Sequence, residues 1–114
     1  MLSNLPAPIV GTINSIALIF NTIISCTPLF AFALLKILPI KPLQKICTLI
    51  CIKIAEAWIA INSAVLGSTQ KTQYNITGDL NDIKYDGWYM VVANHQSWAD
   101  IFILQKIFNK QAPF

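Results

Sequence analysis

The N-terminal part of the chain contains a long stretch without charged side chains. Ile9 to Leu35 are 27 consecutive uncharged residues. One helix of that length would measure about 40 Å, whereas the hydrocarbon core of a bilayer is about 30 Å thick. Pro28 lacks an amide donor and predicts an interruption. The pattern predicts a kinked membrane span or two pieces that each enter the bilayer halfway. A cleaved signal peptide is the less favoured alternative, because residues 1–8 carry no basic side chain.

A second helical pattern follows the proline-containing break LPIKP at residues 38–42. Apolar residues recur there at steps of three and four and predict a helix over Leu43–Leu66, ended by Gly67 and Ser68. The flanks of this apolar stripe are also largely apolar, so we expect the helix to lie against lipid or partly within it.

The character of the sequence changes after residue 68. Gln73–Thr77 alternates polar and apolar residues, which predicts a half-buried strand. Trp88–Ala93 is a continuous apolar run, typical of a strand covered on both faces of a parallel sheet. A helix over Ser97–Asn109 should follow. We therefore predict a membrane-embedded helical region over residues 1–68 and an α/β domain over residues 69–114.

Composition and charge both favour a membrane. The chain is 55% hydrophobic and 11% charged, against about 45–50% and 25% in soluble domains. Its net charge of +3 resides in residues 36–66, which contain four lysines and one glutamate. These lysines suggest anionic lipid headgroups as a partner, and the absence of arginine speaks against nucleic acid.

The same lysines predict an orientation. They all follow the first apolar run, so the positive-inside rule places residue 36 onward in the cytoplasm. A transmembrane span and a hairpin that dips into one leaflet satisfy this rule equally, and both stay open at this point.

The three cysteines, Cys26, Cys47 and Cys51, stand in apolar surroundings. We expect them to be small buried side chains in a reducing compartment. A metal or redox role for the pair one helical turn apart is the less favoured alternative, because a zinc site needs about four ligands. No metal is expected.

The candidate chemistry lies in WYMVVANHQSWADIFIL, residues 88–104. His95, the only histidine, follows the predicted strand, and Asp100 heads the next helical pattern. Catalytic groups of α/β folds gather at the carboxyl ends of strands. We expect His95 to be a general base that takes a proton from a substrate hydroxyl, and Asp100 to orient its imidazole.

A purely structural interpretation competes with this one. Ser97 and Asp100 have the spacing of a capping box, in which Ser97 is the N-cap and His95 is an incidental loop residue. The two interpretations are compatible, since a helix N-terminus favours an ionised carboxylate. One histidine and one aspartate are too few ligands for a metal site.

VVANHQSWADI resembles the first motif, N-H-x-x-x-x-D, of the PlsC-type glycerolipid acyltransferases (1-acylglycerol-3-phosphate acyltransferases), at Asn94, His95 and Asp100. The resemblance implies an α/β domain behind membrane-embedded helices, with His95 as base and Asp100 as its partner. Asn94, Gln96 and Ser97 would contact substrate. Acyl-CoA or acyl carrier protein would be the donor and a lysophospholipid the acceptor, with no further cofactor. The location implied is a bacterial inner membrane, with the site facing the cytoplasm.

The resemblance extends over residues 29–114 and does not include the arginine-bearing blocks with which that family continues. We therefore expect an incomplete catalytic domain, an N-terminal fragment that is inactive as a 114-residue chain. The alternative is a small membrane protein without catalysis, or a degenerate remnant of such an enzyme.

Overall fold

The computed structural model describes residues 5–69, 73–78, 82–85, 87–94 and 96–111. It contains three helices, α1 (Ala7–Leu35), α2 (Lys41–Thr69) and α3 (Ala99–Phe108). A short turn reverses the chain between α1 and α2, which pack against each other as a hairpin, and α3 packs on α2. By length and composition, α1 and α2 are two helices in the described part of the chain that could cross a membrane.

Helix α1 continues through Pro28. The interruption predicted there is wrong, because the helix runs for seven further residues to Leu35. Proline removes a single amide donor, and the helix keeps its remaining bonds while α2 packs alongside. Three threonine hydroxyls of α1 donate to the carbonyl oxygen four residues earlier, so these polar groups are satisfied within the helix: Thr12, Thr22 and Thr27.

Helix α2 also extends beyond its predicted end at Leu66. Gly67 and Ser68 lie inside the helix, which ends at Thr69. The hydroxyls of Ser68 and Thr69 both donate to the carbonyl oxygen of Val65, at 2.8 and 2.9 Å. The hydroxyl of Thr69 also lies 3.2 Å from the carbonyl oxygen of Leu66, in the last turn, where intrahelical amide partners run out.

The interior of the hairpin is polar and its outer face is apolar. Asn14 and Asn21 are the buried residues of α1, and α2 buries Asn62 and Glu56 beside Cys47, Ile59 and Thr69. The large apolar side chains of α1 instead face outward, with Phe20 and Phe30 each 65% exposed. Small and polar residues between helices, with large apolar residues outside, are typical of helices that pack within lipid.

The predicted α/β fold is wrong. In the described ranges there is no strand, and the architecture is all-α. The two segments expected to be strands, Gln73–Thr77 and Trp88–Ala93, have no neighbouring strand. An apolar run is buried in a sheet only if neighbouring strands pair with its backbone and layers cover its faces. Trp88 is instead 100% exposed and Met90 88% exposed.

Candidate functional site at the head of helix α3

The carboxylate of Asp100 is folded back onto the turn that precedes α3. Its Oδ2 accepts hydrogen bonds from the backbone amides of Gln96, at 2.7 Å, and Ser97, at 2.8 Å. The amide of Asp100 in turn donates to the carbonyl oxygen of Ser97, at 3.1 Å. These three bonds close a compact turn, and the negative charge lies where a helix N-terminus favours it.

The predicted N-cap is wrong, because Trp98 and not Ser97 is the N-cap of α3, but one of the two bonds of the predicted capping box is formed. The bond from the Ser97 amide to the Asp100 carboxylate is the reach-back contact of such a box. In the other half, the hydroxyl of Ser97 accepts from the amide of Ala99, at 3.2 Å, and not from that of Asp100. The helix accordingly begins at Ala99, two residues after the predicted start.

His95 lies outside the described residues. The residues on either side of it, Asn94 and Gln96, are exposed, and so is Ser97. The amide nitrogen that follows His95 in the chain is 2.7 Å from the Asp100 carboxylate. The substrate contacts predicted for Asn94, Gln96 and Ser97 stay a prediction.

An exposed apolar strip leads into this turn. Within the described range 87–94, Trp88, Met90 and Val92 are each more than four-fifths exposed. Exposed large apolar side chains that lie close together usually mark contact with lipid, ligand or protein. It lies directly before Asn94 in the chain.

Glu56, the only glutamate of the chain, connects the hairpin to the C-terminal part. This side chain is buried in the middle of α2, where Oε2 accepts from Nζ of Lys53 at 2.7 Å and Oε1 accepts from the hydroxyl of Tyr85 at 2.9 Å. The side-chain amide of Asn109, just beyond α3, donates to the backbone oxygen of Glu56 at 3.4 Å. Glu56 therefore joins three segments of the chain.

The hydrogen bond to Glu56 is the main reason why the pKa of the Tyr85 phenol is raised, and partial desolvation and the negative charge of Glu56 raise it further. The positive charge of Lys53 opposes this rise in pKa.

A second contact holds the C-terminal part together, since Nζ of Lys106 in α3 lies 3.8 Å from the ring centroid of Tyr74.

Sequence reasoning did not find the role of Glu56, although a lone acidic residue inside an apolar helix could have pointed to it. The conventional pattern treats such a residue as part of a solvated face. Its partner Tyr85 is 29 residues away in the chain, which a local pattern does not reveal.

Comparisons with known proteins identify no relative: no family model, no curated protein and no solved structure matches the chain. The resemblance of residues 94–100 to an acyltransferase motif therefore rests on the motif residues and their flanks.

Proposed function

We propose that the protein is a membrane-bound acyltransferase. It moves a fatty acyl group from acyl-CoA or acyl carrier protein to the hydroxyl of a lysophospholipid such as 1-acylglycerol-3-phosphate. His95 is the general base and Asp100 orients it. The observation that carries the proposal is the Asp100 carboxylate, bound 2.7 Å from the amide of the residue after His95.

The reaction needs no serine or cysteine nucleophile. His95 takes the proton of the acceptor hydroxyl as its oxygen attacks the thioester carbonyl. The tetrahedral intermediate collapses with cleavage of the carbon–sulfur bond, and the leaving thiolate takes the proton from the imidazolium. The Asp100 carboxylate stabilises that imidazolium. General-base assistance of this type contributes about 10²–10⁴ in rate.

The hairpin supports a location on the membrane, where a lysophospholipid acceptor resides. Its outer face is apolar, and the lysines of residues 36–53 favour the cytoplasmic leaflet of a bacterial inner membrane. Tyr85 and Asn109 bind α2 at its midpoint, Glu56. A fully spanning α2 would carry these polar contacts into the hydrocarbon core, at considerable cost. The proposal therefore takes the hairpin to lie against one leaflet.

The test is an acyl-transfer assay on membranes that contain the whole gene product, with labelled acyl-CoA or acyl carrier protein as donor and 1-acylglycerol-3-phosphate as acceptor. His95→Ala should lower the rate by about 10²–10⁴. Gln111→Ala, an exposed position beyond α3, is the control and should keep the wild-type rate. Transfer by His95→Ala at the wild-type rate would contradict the proposal.

A second candidate is a membrane protein without catalysis. The exposure of Asn94, Gln96 and Ser97 favours it, because active sites usually exclude water around the reacting groups. On this hypothesis the protein is found in membranes but transfers no acyl group from any of the donors. The same assay therefore separates the two candidates.

A further inference from the structure

An open cavity of about 1060 Å³ lies at the turn of the hairpin, away from the candidate site. Its lining combines residues from the end of α1 and the first turns of α2: Lys36, Lys41, Pro42, Gln44, Lys45, Thr48 and Leu49. From Lys41 to Glu56, where the C-terminal part is attached, α2 rises by about 22 Å. The cavity is thus a second feature of the molecule and does not depend on His95.

One side chain adds two hydrogen bonds to the backbone bonds that hold this turn. Nε2 of Gln44 donates to the carbonyl oxygen of Lys36, at 3.0 Å, and to that of Leu38, at 3.1 Å. The hydroxyl of Thr48 donates to the carbonyl oxygen of Gln44, at 2.8 Å. Gln44 therefore fixes the backbone of Lys36 relative to the first turns of α2, and the three lysines line one cavity.

The charge of the cavity is not balanced within the described part of the chain. Among the described residues, the ion pair is that of Lys53 with Glu56, outside the cavity. Lys36, Lys41 and Lys45 have no acidic partner among these residues. Three like charges around one cavity repel each other, and an anion between them relieves that repulsion. Lysine ammonium groups bind phosphate as point charges, and a helix N-terminus also favours an anion; the first residues of α2, Lys41 and Pro42, belong to the lining of the cavity.

Apolar side chains in the same part of the chain distinguish a lipid from a free phosphate. Leu49 lines the cavity and is exposed, and the turn before α2 carries three more exposed apolar side chains: Ile37, Leu38 and Ile40. A soluble phosphate compound would leave this apolar surface in water, whereas the acyl chains of a phospholipid would cover it. Lysines beside exposed apolar side chains match a charged headgroup and its acyl chains.

We propose that the cavity at the hairpin turn binds the phosphate group of an anionic phospholipid. Lys36, Lys41 and Lys45 contact the phosphate, Gln44 positions the turn, and Leu49 faces the acyl chains. The site fixes the hairpin in the leaflet where anionic lipids are abundant. It would operate whether or not the protein catalyses acyl transfer.

The experiment measures lipid binding by the detergent-solubilised full chain, with native mass spectrometry as readout and phosphatidylglycerol and phosphatidylcholine as probes. The wild type should bind phosphatidylglycerol in preference to phosphatidylcholine, and an excess of inorganic phosphate should not displace it. The triple variant Lys36→Gln/Lys41→Gln/Lys45→Gln should lose about 100-fold in affinity, at about fivefold per lysine. Lys84→Gln removes one lysine from the exposed segment 82–85 and should keep the wild-type affinity.

Three results would overturn the proposal: wild-type affinity in the triple variant, an equal loss in Lys84→Gln, or displacement of the lipid by inorganic phosphate. The last would identify a site for free phosphate. Circular dichroism verifies the helix content of each variant. If the triple variant misfolds, Lys45→Gln alone decides the matter, with a loss of about fivefold expected and no loss contradicting the site. His95→Ala should bind lipid normally, which separates this test from the assay of acyl transfer.

Discussion

The side-chain amide of Asn21 in α1 donates a hydrogen bond of 2.7 Å to Oδ1 of Asn62 in α2, and both side chains are buried. The same amide donates to the carbonyl oxygen of Trp58, at 3.1 Å, and the indole nitrogen of Trp58 donates to the hydroxyl of Thr22, at 3.2 Å. These bonds cross the hairpin at one level and fix the register of its two helices. In lipid, where water is scarce, such a contact is worth about 0.6–2 kcal/mol.

Replacement of Asn21 by leucine should destabilise the hairpin by about 1–3 kcal/mol, because the buried amide of Asn62 loses its partner. The measurement is unfolding in a denaturing detergent, followed by tryptophan fluorescence. The double variant Asn21→Leu/Asn62→Leu is the matched control and should recover much of the loss, since both polar partners are then replaced by apolar groups. Strictly additive losses in the double variant would show that the two side chains do not interact.

Replacement of Glu56 by glutamine should loosen the Tyr85 segment from the hairpin. The change removes the charge that accepts from Lys53 and Tyr85, while the size of the side chain stays the same. Amide hydrogen exchange in the segment around Tyr85 should become several-fold faster, whereas α3 keeps the bond from Asn109 to the backbone oxygen of residue 56. Asp82→Asn, at an exposed position, serves as the charge-matched control and should leave exchange unchanged. Equal exchange in Glu56→Gln and wild type would contradict the role assigned to Glu56.

The Tyr85 segment should detach from Glu56 at alkaline pH. The pKa of Tyr85 is raised above its ordinary value of 10.0, because its protonated hydroxyl donates to Glu56. The stabilisation is therefore complete below pH 10 and is lost as the pH rises through the raised pKa. A titration of phenolate absorbance, with Tyr85→Phe subtracted, measures that pKa. A value for Tyr85 at or below 10 would contradict the prediction.

Two substitutions of Asp100 should separate its capping contacts from its proposed catalytic role. Asp100→Ala removes the acceptor of the Gln96 and Ser97 amides and should destabilise the start of α3 by about 0.5–2 kcal/mol. Asp100→Asn keeps an oxygen acceptor and should largely preserve the helix, yet lower acyl transfer because the charge that stabilises the imidazolium is gone. The measurements are amide exchange at Gln96 and Ser97 and the transfer assay. If Asp100→Asn transfers acyl groups at the wild-type rate, the catalytic role proposed for Asp100 is wrong and its role is structural.

The helices were predictable from the sequence because an uncharged run and a period near 3.6 are local properties. The buried face of the hairpin was not predictable by the same means. A periodic pattern assigns the apolar stripe to the interior, as in water, whereas this hairpin buries Asn14, Asn21 and Asn62 and turns Ile16 and Phe20 outward. In lipid the large apolar side chains need no protein partner, so polarity and not apolarity marks the contact face.

The two predicted strands failed for a different reason. The apolar run Trp88–Ala93 satisfies every local criterion for a strand, but a strand exists only when another segment pairs with it. Such pairing is a tertiary property that residues 88–93 do not encode by themselves. At the candidate site, by contrast, the spacing of Ser97 and Asp100 correctly predicted the bond between the Ser97 amide and the Asp100 carboxylate, because that contact spans only three residues.

The bonds of Gln44 have a consequence for the order of events during synthesis. They join residues only eight and six positions apart, and the hairpin as a whole brings together neighbouring segments. Local contacts of this kind form quickly, and N-terminal segments fold first as a chain emerges from the ribosome. The hairpin can form once residue 69 has emerged from the ribosome, before Asn94 to Asp100 have emerged. The nascent chain can therefore reach the bilayer first and assemble its candidate site there afterwards.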